Sequence, residues 1–288
     1  MKLFKKIILG SAILLAITII VYFVYFSPTQ NIANPNDIEN SKKVELIEWN
    51  TKELFAVFVD PNDITIINGQ KIPLKGTFQL KPELTDIYAE IGVYDEKNKP
   101  LFIIPLFTAS AYSKNGFYDF YNGNCDYCLT TKITTIDELG EQSSANAVKV
   151  LELLGYDSIT DIELDKNPNI LSKYDKVIVL HNEYVTKNMF DAITSHPNVI
   201  YLYPNALYAE ISTNYQDGTI SLIRGHGYPE LEISNGFDWE FENTRPYEFD
   251  KKCDNWEFYY IPNGEMLNCY PEQKIWKDEK FLKALKEL

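Results

Sequence analysis

Positive charge is in short supply in this sequence. Lys and Arg number 27 against 41 Asp and Glu, a formal net charge of −14. A phosphate backbone is bound through a basic face, so no nucleic-acid partner is expected. An anionic lipid surface is a poor docking site for the same reason. Cysteine is sparse as well: four in 288 residues make neither a disulfide-dense scaffold nor a metal array. Several local enzyme signatures are missing. There is no Gly-x-Ser-x-Gly elbow, no His-Glu-x-x-His, no phosphate-binding loop and no dinucleotide glycine fingerprint. No internal repeat or low-complexity tract is visible. What remains is ordinary globular material, 45% hydrophobic, 24% charged and 14% aromatic, which excludes whole-chain disorder, collagen and coiled coil. At roughly 150 residues per domain the length suits about two domains.

The one sharp departure from the average is the N-terminus. Residues 7–26 read IILGSAILLAITIIVYFVYF, without a charge. As a helix this run spans roughly 30 Å, the thickness of a bilayer core. Lys2, Lys5 and Lys6 precede it and place the N-terminus in the cytoplasm. Tyr22, Phe23, Tyr25 and Phe26 sit where an interfacial belt lies. A cleaved signal peptide has an apolar stretch of about 7–15 residues and a small-x-small exit; this run is longer and its exit is aromatic. The expectation is a single-pass membrane protein: a cytoplasmic stub and transmembrane signal anchor over 1–26, in contact with the lipid bilayer, and the bulk of the chain extracytoplasmic.

Residues 27–43 are polar and read as a linker. Over 44–113, short β-branched or aromatic runs at 54–59, 64–67, 76–80, 87–93 and 101–107 alternate with turn signals such as Asp60-Pro61-Asn62-Asp63 and Asn68-Gly69. This spacing predicts a small antiparallel β module, sandwich-like. Over 114–288 the pattern changes to α/β. Strands are expected at 129–136, 156–162, 177–180, 198–203 and 219–224, and helices over 145–154, capped by Ser143 or Ser144, and 187–195, capped by Thr186. Strand–helix–strand spacing of this kind means a parallel sheet with right-handed crossovers. A hairpin about Asn263-Gly264 and a short amphipathic helix over 277–288 close the chain.

In an open parallel sheet, ligands bind beyond the carboxyl ends of the strands. His181-Asn182-Glu183-Tyr184 follows one expected strand, Asn205-Ala206-Leu207-Tyr208 the next, and Gly225-His226-Gly227 a third. His181, Glu183, Tyr184, Asn205 and His226 are therefore the candidate catalytic groups. Tyr208 is a candidate binding phenol, and Glu183 with Tyr184 a candidate metal pair. Each has a plain alternative: a strand-end cap for His181, a helix cap for Glu183, packing for the tyrosines, a turn amide for Asn205. His196, before Pro197, reads as structural. Outside a membrane, Cys125, Cys128, Cys253 and Cys269 read as two disulfides, with three connectivities open and a four-cysteine zinc site as the alternative. A two-residue turn at Asn263-Gly264 would set Cys269 opposite Phe258, so Cys253 reaches Cys269 only if the chain bends.

Residues 147–210 also carry a resemblance. Leu-Leu-Gly-Tyr-Asp (153–157), Thr160-Asp161, Tyr174-Asp175, His-Asn-Glu-Tyr (181–184) and Asn-Ala-Leu-Tyr (205–208), in this order, resemble the C-terminal domain of the large subunit of N,N-dimethylformamidase. The resemblance implies a glutamine-amidotransferase-like, flavodoxin-type fold. It also implies an iron-dependent amide hydrolase whose metal is held by tyrosine and glutamate oxygens, with Glu183 and Tyr184 matching one strand-end motif and Asn205 and Tyr208 the other. Two functions stand: a non-catalytic module that binds a ligand or partner at the surface, and a C–N hydrolase with its site at the strand ends.

Overall fold

In the computed structural model, which describes residues 45–49, 52–67, 70–73 and 76–288, the chain opens with β1 (Ile47–Glu48), β2 (Phe55–Val59), β3 (Ile64–Ile67), β4 (Gln70–Pro73) and β5 (Thr77–Leu80). Strands β1, β2 and β5 form a three-stranded antiparallel sheet, and β3 and β4 pair separately. The expected sandwich does not form, because its other strands are used elsewhere. Residues 87–93 fall largely in helix α1 (Thr85–Ile91), where Tyr88 and Ile91 recur at helical spacing and are buried. Residues 101–107 divide at Pro105 into β6 (Leu101–Ile104) and α2 (Leu106–Tyr112). The proline has no N–H with which to extend a ladder.

Next come α3 (Phe117–Tyr121), β7 (Thr130–Lys132), α4 (Ala145–Leu153), β8 (Asp157–Thr160) and α5 (Asp161–Lys166). They are followed by β9 (Val177–Val179), β10 (Tyr184–Val185), α6 (Lys187–Ser195), β11 (Val199–Tyr201), β12 (Ala209–Asn214) and β13 (Thr219–Arg224). The chain closes with β14 (Phe258–Ile261), β15 (Gly264–Leu267) and α7 (Glu279–Glu287). Thr186 caps α6 as expected, its hydroxyl accepting from Met189 N–H.

The main sheet has six strands in the order β14-β15-β11-β9-β6-β8. All neighbours are parallel except the β14–β15 hairpin. Its parallel strands alternate cleanly between two buried faces. Phe102, Ile104, Ile178, Leu180 and Ile200 belong to one core cluster, and Leu101, Ile103, Val177, Val179 and Val199 to the other. A strand buried on both faces reads as the continuous apolar run seen in the sequence. β6 lies inside this sheet, and Leu46–Leu288 form one compact unit, so the strands before and after residue 113 share one architecture. The fold is mixed α/β.

Strand β13 differs from expectation. It lies in a second, four-stranded sheet, β10-β12-β13-β7, antiparallel to both of its neighbours. The C-terminal hairpin also differs by one register step. Ile261 pairs with Gly264, so Pro262-Asn263 make the turn. Gly264, at φ 154°, is needed for a close approach instead: a Cβ there would sit 1.8 Å from the Val199 carbonyl oxygen. Cys253 joins Cys269, and Cys125 joins Cys128. The bend that brings the first pair together is held by Tyr270 N–H to Asp250 O, 3.0 Å, and by Cys253 N–H to the Asp250 carboxylate, 3.1 Å. Pairing of all four sulfurs sets aside the zinc alternative. Among the described residues no helix is long and apolar enough to cross a membrane; the 7–26 run and the 27–43 linker lie outside those residues.

Candidate functional site

Counted in chain order, the five parallel strands lie 2-1-3-4-5 across the sheet, so the order reverses between β6 and β9. At such a reversal the connections leave to opposite sides and open a crevice. The chain leaving β6 runs at once into α2, which ends in Tyr112, and then into α3, which carries Tyr118 and Tyr121. The chain leaving β9 gives Leu180, His181, Asn182 and Glu183. These segments meet.

Glu183 is fully buried. The Tyr118 hydroxyl donates to its carboxylate, 3.2 Å from Oε1 and 3.5 Å from Oε2. The Tyr112 and Tyr118 hydroxyls are hydrogen-bonded to each other and their rings stack at 3.8 Å. Two imidazoles flank the carboxylate. His181 Nε2 is 3.9 Å from Oε2, and His226 Nε2 is 3.9 Å from Oε1 and 3.3 Å from the Tyr118 oxygen. His226 stacks on Tyr121 at 4.1 Å and meets Tyr208 edge-on at 5.7 Å. It reaches this place because Gly225, His226 and Gly227 all have positive φ. Gly225 passes so close to Ala209 and Gly236 that a side chain would collide. The cluster opens to solvent at His226, whose side chain is 30% exposed. The surface clefts lined by Lys251, Lys274 and Lys277 and by Trp49, Phe78 and Trp276 are separate from it.

The protonation states follow from burial. Burial pushes Glu183 up to about 8, against the opposing pull of the Tyr112 and Tyr118 phenols. It pushes His181 down to about 4, despite the carbonyl of Gln142, and lowers His226. Tyr112, Tyr118 and Tyr121 are all raised, by burial first and by Glu183 besides. His181 is thus a neutral imidazole. With Nδ1 at 2.6 Å from the Gln142 carbonyl, the proton is assigned to Nδ1. Nε2 then carries a lone pair, faces Glu183, and has no hydrogen-bond partner. A buried acceptor without a donor calls for an explanation. Among the described residues no group of three or more His, Cys, Asp or Glu side chains is disposed to hold a metal, so a cation at this centre requires the tyrosines. The donors fit one: two phenol oxygens and a carboxylate are hard ligands that converge on one point, and a cation is the partner a buried carboxylate lacks here.

The structure brings together His181, Glu183 and His226, with Tyr208 at the edge of His226, where its hydroxyl also bonds Ser234, 2.9 Å. Tyr184 lies one phenol further out. It is fully buried, packs on Phe117, and its hydroxyl is 3.4 Å from that of Tyr121. Tyr118, not Tyr184, is the phenol bonded to Glu183, and Tyr112 is bonded in turn to Tyr118. Asn205 is buried in the loop after β11 at φ 62°, with Oδ1 unpartnered. His196 is structural, its two ring nitrogens 3.1 and 3.0 Å from the carbonyls of Asn198 and Tyr174. The sequence reading missed Tyr112, Tyr118 and Tyr121. Three tyrosines within ten residues after an apolar run are the available signal, and it points to the site only because β6 lies in the parallel sheet beside β9. Compared with protein-family models and with curated proteins, the chain matches none.

Proposed function

We propose that the chain is a membrane-anchored, extracytoplasmic hydrolase of amide-type C–N bonds, with a metal-assisted centre at Glu183, Tyr118 and Tyr112. The observation that carries this reading is the convergence of a buried carboxylate, two phenols and the unpartnered Nε2 of His181 at the strand-order reversal. The strand order 2-1-3-4-5 is that of flavodoxin-like folds and supports the formamidase-type resemblance. Glu183, Tyr118 and Tyr112 would hold the metal, iron on the strength of that resemblance. When bound, it supplies Lewis acidity toward a carbonyl oxygen and toward water. His181 Nε2 is placed to take the proton of the attacking water and return it to the leaving nitrogen. The water oxygen bonds the acyl carbon, the C–N bond breaks, and acid and amine leave. His226 lines the entrance beside Tyr118, and the stacked aromatic rings keep bulk water from the centre.

The reading is tested by metal analysis of the purified chain grown with iron, and by amine release from a panel of small formamides and amides. About one bound iron per chain with amine release is the expected result. An empty, inactive protein would leave the non-catalytic binding module as the function. The anchor is tested separately: the uncharged 7–26 run predicts that full-length protein stays with membranes through carbonate extraction. A soluble product trimmed near residue 27 would reject it.

A further inference from the structure

We propose that Thr108 is a positioning residue that sets the carboxylate of Glu183 against the phenols carried by α2 and α3; the inference rests on the reading of Glu183 as a metal-holding group. Residues 181–183 lie between β9 and β10 and belong to no strand ladder. Their backbone must therefore be held by other groups. The Glu183 carbonyl accepts from the N–H groups of Tyr208 and Ala209, both 2.9 Å, which ties it to the far loop. Its N–H donates to the Thr108 hydroxyl, 2.9 Å, and Tyr184 N–H reaches the same oxygen at 3.4 Å. Thr108 is fully buried. It stands on α2 four residues before Tyr112, so one helical turn connects the hydroxyl that holds Glu183 to a phenol that Glu183 must meet. The start of α2 is itself fixed from the first residue of α5, where the Asp161 carboxylate accepts from Phe107 N–H at 2.6 Å. One side-chain oxygen thus fixes the spacing between two chain segments that approach the centre from opposite sides of the strand-order reversal.

Thr108→Val keeps the shape and removes the acceptor, while Thr108→Ser keeps the acceptor. With ferric ion as the probe, Thr108→Val is expected to bind about 10–100-fold more weakly than wild type and to alter the visible absorption of iron bound by phenols. Thr108→Ser should return both to within about threefold, a pattern that loss of packing alone does not give. Wild-type iron binding and spectrum in Thr108→Val, or failure of Thr108→Ser to rescue, would overturn the inference. A second readout needs no metal. In the metal-free protein, Thr108→Val should speed hydrogen exchange at the Glu183 and Tyr184 amides specifically, and unchanged exchange there overturns the positioning role. Failure of the wild type to take up iron counts instead against the proposed function.

Discussion

Glu183→Gln is expected to empty the centre of iron, to reduce amide hydrolysis by about 10²–10³-fold or more, and yet to make the metal-free protein more stable. The two halves have one cause. Burial raises the folded-state Glu183 to about 8 from an ordinary 4.5. Near pH 7 the metal-free fold must therefore take up a proton that the unfolded chain does not hold, at a cost of about 3 kcal/mol. The amide keeps size and shape and avoids that cost, but cannot serve as an anionic ligand. Thermal denaturation of the metal-free proteins and iron analysis read the two effects separately. Tyr118→Phe should also lose iron, at least about tenfold in affinity, because its oxygen bonds the carboxylate directly. Tyr184→Phe, whose hydroxyl faces Tyr121, should fall within about threefold of wild type. If Tyr184→Phe proved the more damaging of the two, the pairing of Glu183 with Tyr118 would be the wrong one.

The second large effect lies away from the centre. Glu272 is buried and caps α4 from a distance: Oε1 accepts from Asn146 N–H at 2.7 Å, and the Tyr203 hydroxyl donates to Oε2 at 2.5 Å. Ser144, at the N-cap position, is in the left-handed conformation and makes no cap bond with its side chain. Burial pushes Glu272 up to about 8, more than these hydrogen bonds pull it down. A carboxyl raised on folding contributes its full stability below its unfolded value. That contribution is lost as pH climbs from about 4.5 to about 8, at about 1.4 kcal/mol per pH unit and of order 5 kcal/mol in total. Glu272→Gln retains an acceptor for Asn146 and a polar partner for Tyr203 without titrating. Unfolding curves at pH 5, 7 and 9 should show wild type losing stability relative to the variant as pH rises. Every other buried acid is common to both proteins, so parallel pH profiles would show that Glu272 is not strained by charge.

The sequence made the parallel strands legible because both of their faces are buried. Val177 to Leu180 reads as apolar without interruption, and so does the run through Ile200. Caps were readable for a similar reason: Thr186 acts on a backbone group three residues away. What depended on distant partners was not readable. Residues 87–93 have β-branched composition, but helical spacing against neighbouring elements decides their state. The strand after Gly218 turned out antiparallel, since direction is set by its pairing with β12 and β7 and not by its own residues. At the site, the rule that ligands gather at the carboxyl ends of parallel strands points to His181 and Glu183 after β9, whereas His226 follows β13 of the other sheet and reaches them through its pairing. The rule could not supply Tyr112 and Tyr118, because placing them required knowing that β6 sits beside β9. The Cys253–Cys269 pairing needed a bend that no local pattern announces.

The alternation of the central strands has one more consequence. Phe55, Val57 and Phe78 of the first sheet and Phe281 and Leu285 of α7 share a core cluster with Phe102 and Ile178, while Phe117, Tyr184 and Ala209 share the other with Ile103 and Val179. The sheet acts as a bulkhead: the N-terminal strands and the last helix load one wall, and the phenol-bearing side is built largely on the other. Remodelling on the loaded wall, by drift or by design, would reach the chemistry where Tyr203 and Tyr270 pack on His181, at 6.1 and 5.4 Å.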